Sequence, residues 1–373
     1  MGHDVLPPAP LRLAGQPLPI VGPARIYVCG VTPYDVTHLG HAATFVWVDA
    51  LVRTLRAGNL QPVVTRNVTD VDDVLTEAAR RAGSPYDEYA AVHQYAFEHD
   101  MSELGVRRPE HEPRAHRHIA DVIRLAQALL DRGAAYERGG TVYFRGSEVP
   151  ARAGLPEAVA RQRFAEFGED PDDAAKEDPY DVPVWRRSQD ADPAWPSPWG
   201  QGRPGWHAEC TAMVLSHYGS SVDIHAGGAD LAFPHHAYEA AQAEAATGVT
   251  PFARAWMRVG TVRIGGEKMA KSTGNLVLVG DLLTEHRPSA LRLMILNRDW
   301  ASEWDYSPAE LAAAEGQLDA LHAAAGRRDD SEAAEREVLA RLLDDVDVPG
   351  ALAVAMESGG RSARVLAQIL ALN

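Results

Sequence analysis

The chain has 373 residues, 46% hydrophobic and 24% charged, with a formal charge of −16, a length that bears two or three domains around a sizeable core. No apolar run approaches the ~18 residues of a spanning helix, and the opening MGHDVLPPAP lacks the basic-then-apolar pattern of a secretory leader, so a cytoplasmic enzyme with no membrane partner is expected. The acidic balance argues against a nucleic-acid partner, since phosphate binding needs a basic face, and beyond Tyr306 six arginines against twelve acidic residues leave −6.

In chain order, residues 24–28 read as a short apolar strand, followed by a helix from His41 to Leu55 with Phe45, Val48, Val52 and Leu55 on one face and Gly58-Asn59 as its stop. Gln61 to Asn67 is a second strand, and this spacing predicts a βαβ unit and a parallel sheet. Residues 71–133 read as helical, with an amphipathic stretch at Ile119, Val122, Ile123, Ala126, Leu129 and Leu130. Thr141–Phe144 reads as an isolated strand, and residues 165–204, rich in Pro, Asp and Gly, as ordered loop. The α/β pattern returns with a helix from Trp206, a strand at Ser221–His225, a turn at Gly227-Gly228, a helix from His235 and a strand near Trp256–Ile264. The sheet is thus expected to be split by an insertion of roughly a hundred residues. From Pro288 to Asn373 the chain reads as nearly all helix.

Two short segments carry phosphate chemistry. His38-Leu39-Gly40-His41 sits where a helix follows a strand, and a helix N-terminus offers free N–H groups and positive potential. Gly40 removes a side chain where a nucleotide base could approach the backbone. Lys268-Met269-Ala270-Lys271-Ser272 holds two of only three lysines (the other is Lys176) in a chain with 36 basic residues. A retained Lys pair points to compact, mobile ammonium groups, and no G-x-x-x-x-G-K-[ST] loop occurs. Asn67-Val68-Thr69-Asp70 and Gly227-Gly228-Ala229-Asp230 fall at strand ends, where α/β proteins place ligands; turn chemistry explains them equally well.

Cys29 and Cys210 are too few and too far apart for a disulfide framework. Cys29 lies at a strand end and Cys210 follows Trp206-His207 at a helix start. With His235 they make a thiolate, thiolate and imidazole set that suits one zinc and leaves a position open for substrate. Glu239, four residues beyond His235 on a predicted helix, could be a fourth ligand. His236 points elsewhere and reads as a hydrogen-bond partner.

Taken in order, Cys-Gly-x-Thr-x-Tyr-Asp, His-x-Gly-His, Asn-x-Thr-Asp, Gly-Arg-Pro-Gly-Trp-His-x-Glu-Cys, Asp-Leu-x-Phe-Pro-His-His and Lys-Met-x-Lys-Ser resemble the class I cysteinyl-tRNA synthetases and the shorter cysteine ligases of mycothiol biosynthesis. Thr32-Pro33-Tyr34-Asp35, His41-Ala42-Ala43-Thr44, Glu166-Phe167-Gly168-Glu169-Asp170-Pro171 and Asn275–Val279 are similar to the ligases. Glu112-Pro113-Arg114-Ala115 with His118-Ile119, and Glu239, are similar to the synthetases. The resemblance implies a Rossmann-like parallel sheet of class I synthetase type, with an inserted subdomain and a C-terminal helical region. The implied division is 1–104 and 205–262 for the catalytic halves, 105–204 for the insertion, 263–306 for the lysine-motif region and 307–373 for the helical end.

It further implies ATP-dependent activation of L-cysteine, with magnesium, and transfer to the amine of glucosaminyl-inositol; a truncated cysteinyl-tRNA synthetase and a cysteine ligase with another amine acceptor are the alternatives. His38, His41, Lys268 and Lys271 would act on the phosphates. Gly30, Val31, Thr32, Thr44, Asn67, Val68, Thr69, Trp206, Gly228, Ala229, Asp230 and the backbone at Val262 would hold the adenylate. Zinc on Cys29, Cys210 and His235 would grip the substrate thiol through a Zn–S bond of ~2.3 Å that serine cannot reproduce. No residue stands out as the base for the acceptor amine, and a monomer and a homodimer fit the sequence equally.

Overall fold

The computed structural model describes residues 10–34, 36–189, 192–269 and 274–373. Its centre is a parallel sheet of four strands among the described residues: β1 (Ala24–Val31), β2 (Pro62–Val68), β3 (Val222–Gly228) and β4 (Ala253–Val259). They lie in the order β4-β3-β1-β2, with Ile224 opposite both Ala255 and Ile26, and Ile26 opposite Val64. The order reverses between β1 and β3, and the crevice at such a switch point is where open α/β sheets bind ligands. The chain between Val68 and Val222 separates the two halves, as the pattern predicts.

Between β1 and β2 runs α1 (Leu39–Ala57). It is started by the His38 side chain, whose Nδ1 accepts the Gly40 N–H at 3.1 Å. Buried residues occupy every side of this helix, because the sheet covers one face and the C-terminal helices cover the other; a helix apolar all round belongs inside a core. Its buried Asp49 meets Arg292 at 2.7 Å, and Arg292 also donates to the carbonyls of Leu104 and Leu370. One guanidinium thereby joins the helix to the far end of the chain.

Two expectations are corrected. Residues 71–133 are not one helical run: helices Asp73–Ala82 and Tyr86–Glu103 are followed by extended chain, and helix resumes at Ile119–Asp131. In the gap, His111 and Arg114 bridge Thr65 and Val68 in parallel on the outer edge of β2. Nor is 165–204 only loop. Val182–Arg187, Trp195–Ser197 and Gly200–Pro204 join Ala135–Arg138 and Thr141–Phe144 in a five-stranded antiparallel sheet, so Thr141–Phe144 is not isolated either. Prolines at 183, 196 and 204 disguise these strands, since proline seldom sits inside a sheet.

Beyond β4, Val262–Ile264 pairs with Glu267–Lys268 and with Trp304–Asp305. The C-terminal stretch is helical, as expected, from Pro288–Leu296 to Gly360–Leu370. Among the described residues no helix is long and apolar enough to cross a membrane.

Candidate active site

Strand alternation places the first half of the site. Ile26 and Val28 point into the core beneath α1, whereas Tyr27 and Cys29 point to the opposite layer, where Cys210 lies buried with them; successive strand residues must face opposite sides. Helix α2 (Trp206–Tyr218) supplies Cys210, and helix α3 (His235–Thr247) supplies His235 and, one turn on, Glu239. The metal-binding atoms of Cys29, Cys210, His235 and Glu239 all lie within 4.8 Å of one another, and all four residues are buried. Glu239 Oε1 is 3.1 Å from Cys29 Sγ and 2.7 Å from His235 Nε2.

The charges of this cluster are strongly coupled. Burial pulls the His235 imidazole down, but Glu239 and Cys210 more than offset it and carry its pKa up to about 10. Burial likewise opposes ionisation of Glu239, yet His235 and His225 hold its carboxylate well below the usual range. The Cys29 thiol is pushed up, first by burial. Cys210 is brought down against burial by the Cys29 hydrogen bond and by His235. Two thiols, an imidazole and a carboxylate in one dry pocket form a donor set of the zinc type, so these residues fit that ion.

Strand β3 adds a residue that the sequence reading passed over. His225 Nε2 meets Glu239 Oε2 at 2.6 Å, with both side chains fully buried. An imidazole fixing the far oxygen of a candidate ligand is a common outer support of metal sites. The signal lay in the alternation of Ile224, His225 and Ala226, which turns His225 toward α3. His236 does not serve as the expected hydrogen-bond partner: it is fully buried and neither ring nitrogen is hydrogen-bonded. It packs edge-on against His225 at 4.8 Å, and its Nε2 would stand 2.8 Å from a Cβ on Gly227.

Strand ends β1 and β2 are stapled together beside this pocket. Asn67 Oδ1 accepts the Gly30 N–H at 2.8 Å while its amide points at Cys210 Sγ, 3.1 Å away. Thr32 and Thr69 hydroxyls are 2.6 Å apart, and the Thr69 N–H donates to the Val31 carbonyl. A Cβ on Gly30 would come 1.8 Å from the Asn67 carbonyl oxygen, so only glycine fits there. Val68 is wholly buried and reaches the site through its neighbours.

On the nucleotide side, His38 and His41 stack at the start of α1, ring centres 3.9 Å apart. The space beside Gly40 is taken by the His38 ring, which a Cβ would meet at 2.9 Å, so the glycine makes room for this imidazole at the start of α1. Thr44 Oγ1 lies 4.0 Å from where a Gly228 side chain would begin, so α1 and the Gly228, Ala229, Asp230 turn adjoin. Lys268 Nζ meets Asp230 Oδ2 at 2.6 Å. Lys271 lies outside the described residues. Val262 is buried in the main core, with its backbone on the strand that leads to Lys268.

The insertion closes the pocket. Trp206 stacks on His235 at 4.0 Å and on Phe167 at 6.0 Å. Glu169 lies 3.9 Å from His207 Nε2, and His207 Nδ1 is 2.8 Å from His235 Nδ1. Phe167 and Glu169 are thus tied to the Cys29, Cys210 and His235 cluster through Trp206 and His207.

The family model for the class I (C) tRNA synthetase catalytic domain matches residues 20–316. The chain belongs to that family. Among named relatives, the L-cysteine:1D-myo-inositol 2-amino-2-deoxy-alpha-D-glucopyranoside ligase of Thermobispora bispora is 43% identical over 338 residues, covering 89% of this chain and 84% of that one. The enzyme of the same name from Streptosporangium roseum is 42% identical over 93% of this chain and 88% of its own. The cysteine–tRNA ligase of Alkalilimnicola ehrlichii is 42% identical over 90% and 74%. Among solved structures, Mycobacterium tuberculosis methionyl-tRNA synthetase with methionyl-adenylate superposes with a TM-score of 0.62 at 16% identity, covering 94% of this chain and 82% of that one, a likeness of fold.

Proposed function

We propose that this protein is an ATP-dependent ligase that activates L-cysteine as cysteinyl-adenylate and transfers it to the amine of 1D-myo-inositol 2-amino-2-deoxy-α-D-glucopyranoside. The observation that carries the cysteine half is the buried Cys29, Cys210, His235 and Glu239 cluster, opening beside the loops expected to hold a nucleotide. The names of the most similar relatives support the acceptor, and the acidic surface charge beyond Tyr306 accords with a small acceptor in place of RNA.

Cys29, Cys210 and His235, with Glu239 beside them, are the residues that would hold zinc, which when bound supplies a soft Lewis-acid contact for the substrate thiol. His38 and His41, at the N-terminus of α1, and the ammonium groups of Lys268 and Lys271 neutralise the α-phosphate and the departing pyrophosphate of magnesium-bound ATP, an electrostatic and positional contribution. Gly30, Val31, Thr32, Thr44, Asn67, Val68, Thr69, Gly228, Ala229, Asp230 and the Val262 backbone line the adenylate, with Trp206 roofing His235. In this reading the five segments 1–104, 105–204, 205–262, 263–306 and 307–373 are its working parts. Unpaired buried thiols at Cys29 and Cys210 accord with a reducing compartment such as the cytoplasm.

The test supplies the full chain with zinc, ATP, magnesium and labelled cysteine, and offers that amino sugar, glucosamine or tRNA. Label entering the amino sugar with release of AMP and pyrophosphate is the expected result; label entering tRNA alone overturns the acceptor assignment. No exchange of pyrophosphate into ATP with cysteine overturns the whole reading.

A further inference from the structure

We propose that His116, oriented by Asp70, is the general base that takes the proton from the acceptor amine during transfer; this rests on the ligase reading above. The two residues form a dyad. Asp70 is 7% exposed, and its two oxygens both serve His116: Oδ1 accepts the His116 backbone N–H at 3.0 Å, and Oδ2 lies 2.5 Å from Nδ1. A carboxylate at Nδ1 puts the ring proton there and leaves Nε2 as the lone-pair acceptor. The imidazole is 38% exposed, and among the described residues its Nε2 has no hydrogen-bond partner. A purely structural tie would need only the backbone contact and has no use for an outward-facing ring nitrogen.

Topology puts this imidazole on the reactive edge. Residues 111–114 ladder in parallel along β2: the Arg66 N–H donates to the His111 carbonyl and the Val68 N–H to the Pro113 carbonyl, at 3.0 and 2.9 Å. Chain leaving this segment therefore emerges at the same sheet edge as chain leaving β2. Asp70 follows Thr69, whose hydroxyl meets Thr32 on β1. Ala115, next to His116, packs with Val71 against Met213, on the helix that carries Cys210. The charge of Asp70 is also felt at Glu209, the residue before Cys210. In cysteine the carboxyl carbon is only two bonds from the carbon that bears sulfur, so once the thiol is seated at Cys29 and Cys210 the reacting carbonyl lies within a side-chain length of that cluster. Of the other basic groups, His235 bridges Glu239 and His207, Asp230 holds Lys268, and His236, whose ring nitrogens have no hydrogen bond, is fully buried away from solvent.

The chemistry balances with this one acceptor. The free amine attacks the carbonyl carbon of the adenylate and forms the C–N bond. One N–H proton passes to His116 Nε2, the C–O bond to phosphate breaks with its electron pair leaving on AMP, and His116 returns the proton to solvent. Asp70 stabilises the imidazolium formed in between.

The experiment separates the two chemical steps. Full-length zinc-loaded protein is charged with cysteine and ATP, and single-turnover transfer to 1D-myo-inositol 2-amino-2-deoxy-α-D-glucopyranoside is followed. His116→Ala slows transfer by about 100-fold or more, added imidazole restores part of the rate, and Asp70→Asn slows the same step by misplacing the ring proton. Cysteine-dependent pyrophosphate exchange persists in both variants, as does trapping of the adenylate by hydroxylamine, a nucleophile already unprotonated at neutral pH. Transfer by His116→Ala at the wild-type rate overturns the proposal, and so does a parallel loss of hydroxylamine trapping, which marks a structural defect. Absence of exchange in the wild-type protein instead refutes the ligase reading, and the dyad falls with it.

Discussion

The thiol pocket and the nucleotide rim are built on opposite plans. At the pocket, Cys29, Cys210, His235 and Glu239 are at most 5% exposed, and three of them are held by neighbours that are themselves buried: Asn67 at Cys210, His207 at His235 and His225 at Glu239. At the rim, Lys268 is 55% exposed and its carboxylate partner Asp230 36%, and Lys271 falls outside the described residues. Selecting between a thiol and a hydroxyl depends on donor atoms fixed within tenths of an ångström, which only a packed shell provides. Neutralising a polyphosphate that must arrive, react and leave depends on mobile charges. On the proposed reading, discrimination would be preorganised and activation assembled when ATP binds.

This contrast can be broken at either end. The largest effect is expected at the pocket: Cys29→Ala should abolish stoichiometric zinc in metal analysis and erase a cysteine-over-serine preference of roughly 10⁴ in pyrophosphate exchange. Retained discrimination would sink the pocket's role. At the rim, Lys268→Ala should slow adenylate formation by about 10²–10³, while cysteine affinity by equilibrium dialysis stays unchanged; weaker cysteine binding would mean that the two regions are not separable.

A milder perturbation probes the support of the pocket. His225→Gln should lower zinc affinity about 10–100-fold in chelator competition with the helical content intact. A pH titration probes the protons of the pocket. In the metal-free protein His235 carries a pKa of about 10 and is therefore protonated at neutral pH, yet a metal ligand must be neutral, so zinc must displace that proton along with those of the thiols. Affinity should accordingly rise with pH between about 6 and 9, by up to about tenfold per unit for each proton released. A calorimetric titration in buffers of different ionisation enthalpy that shows no proton release contradicts the assignment of His235.

How much of this was legible in the sequence follows from where each residue sits. Cys29, Cys210 and His235 stand near a strand end and helix starts, and the structure brings them together as their chemistry led one to expect, while His38, which caps α1, has a structural role as well. His225 was hidden because it is a single polar residue inside an apolar strand, and only the pairing of β3 with β1 shows which layer it faces. The strands between Val182 and Pro204 were hidden by their own prolines. The packing of the His38 ring beside Gly40 was not visible either, because that contact depends on a rotamer and not on spacing. The dyad was least visible of all: Asp70 and His116 are 46 residues apart, and only the ladder along the edge of β2 brings them together.

The bond between Lys268 and Asp230 has a bearing on timing. The turn that follows β3 and the hairpin that carries Lys268 neutralise each other through this ion pair. A triphosphate bearing a ribose competes for both partners at once, its hydroxyls for the aspartate and its oxygens for the ammonium. Inorganic phosphate can satisfy only one of them. On the proposed reading, this ion pair would favour a whole nucleotide over inorganic phosphate.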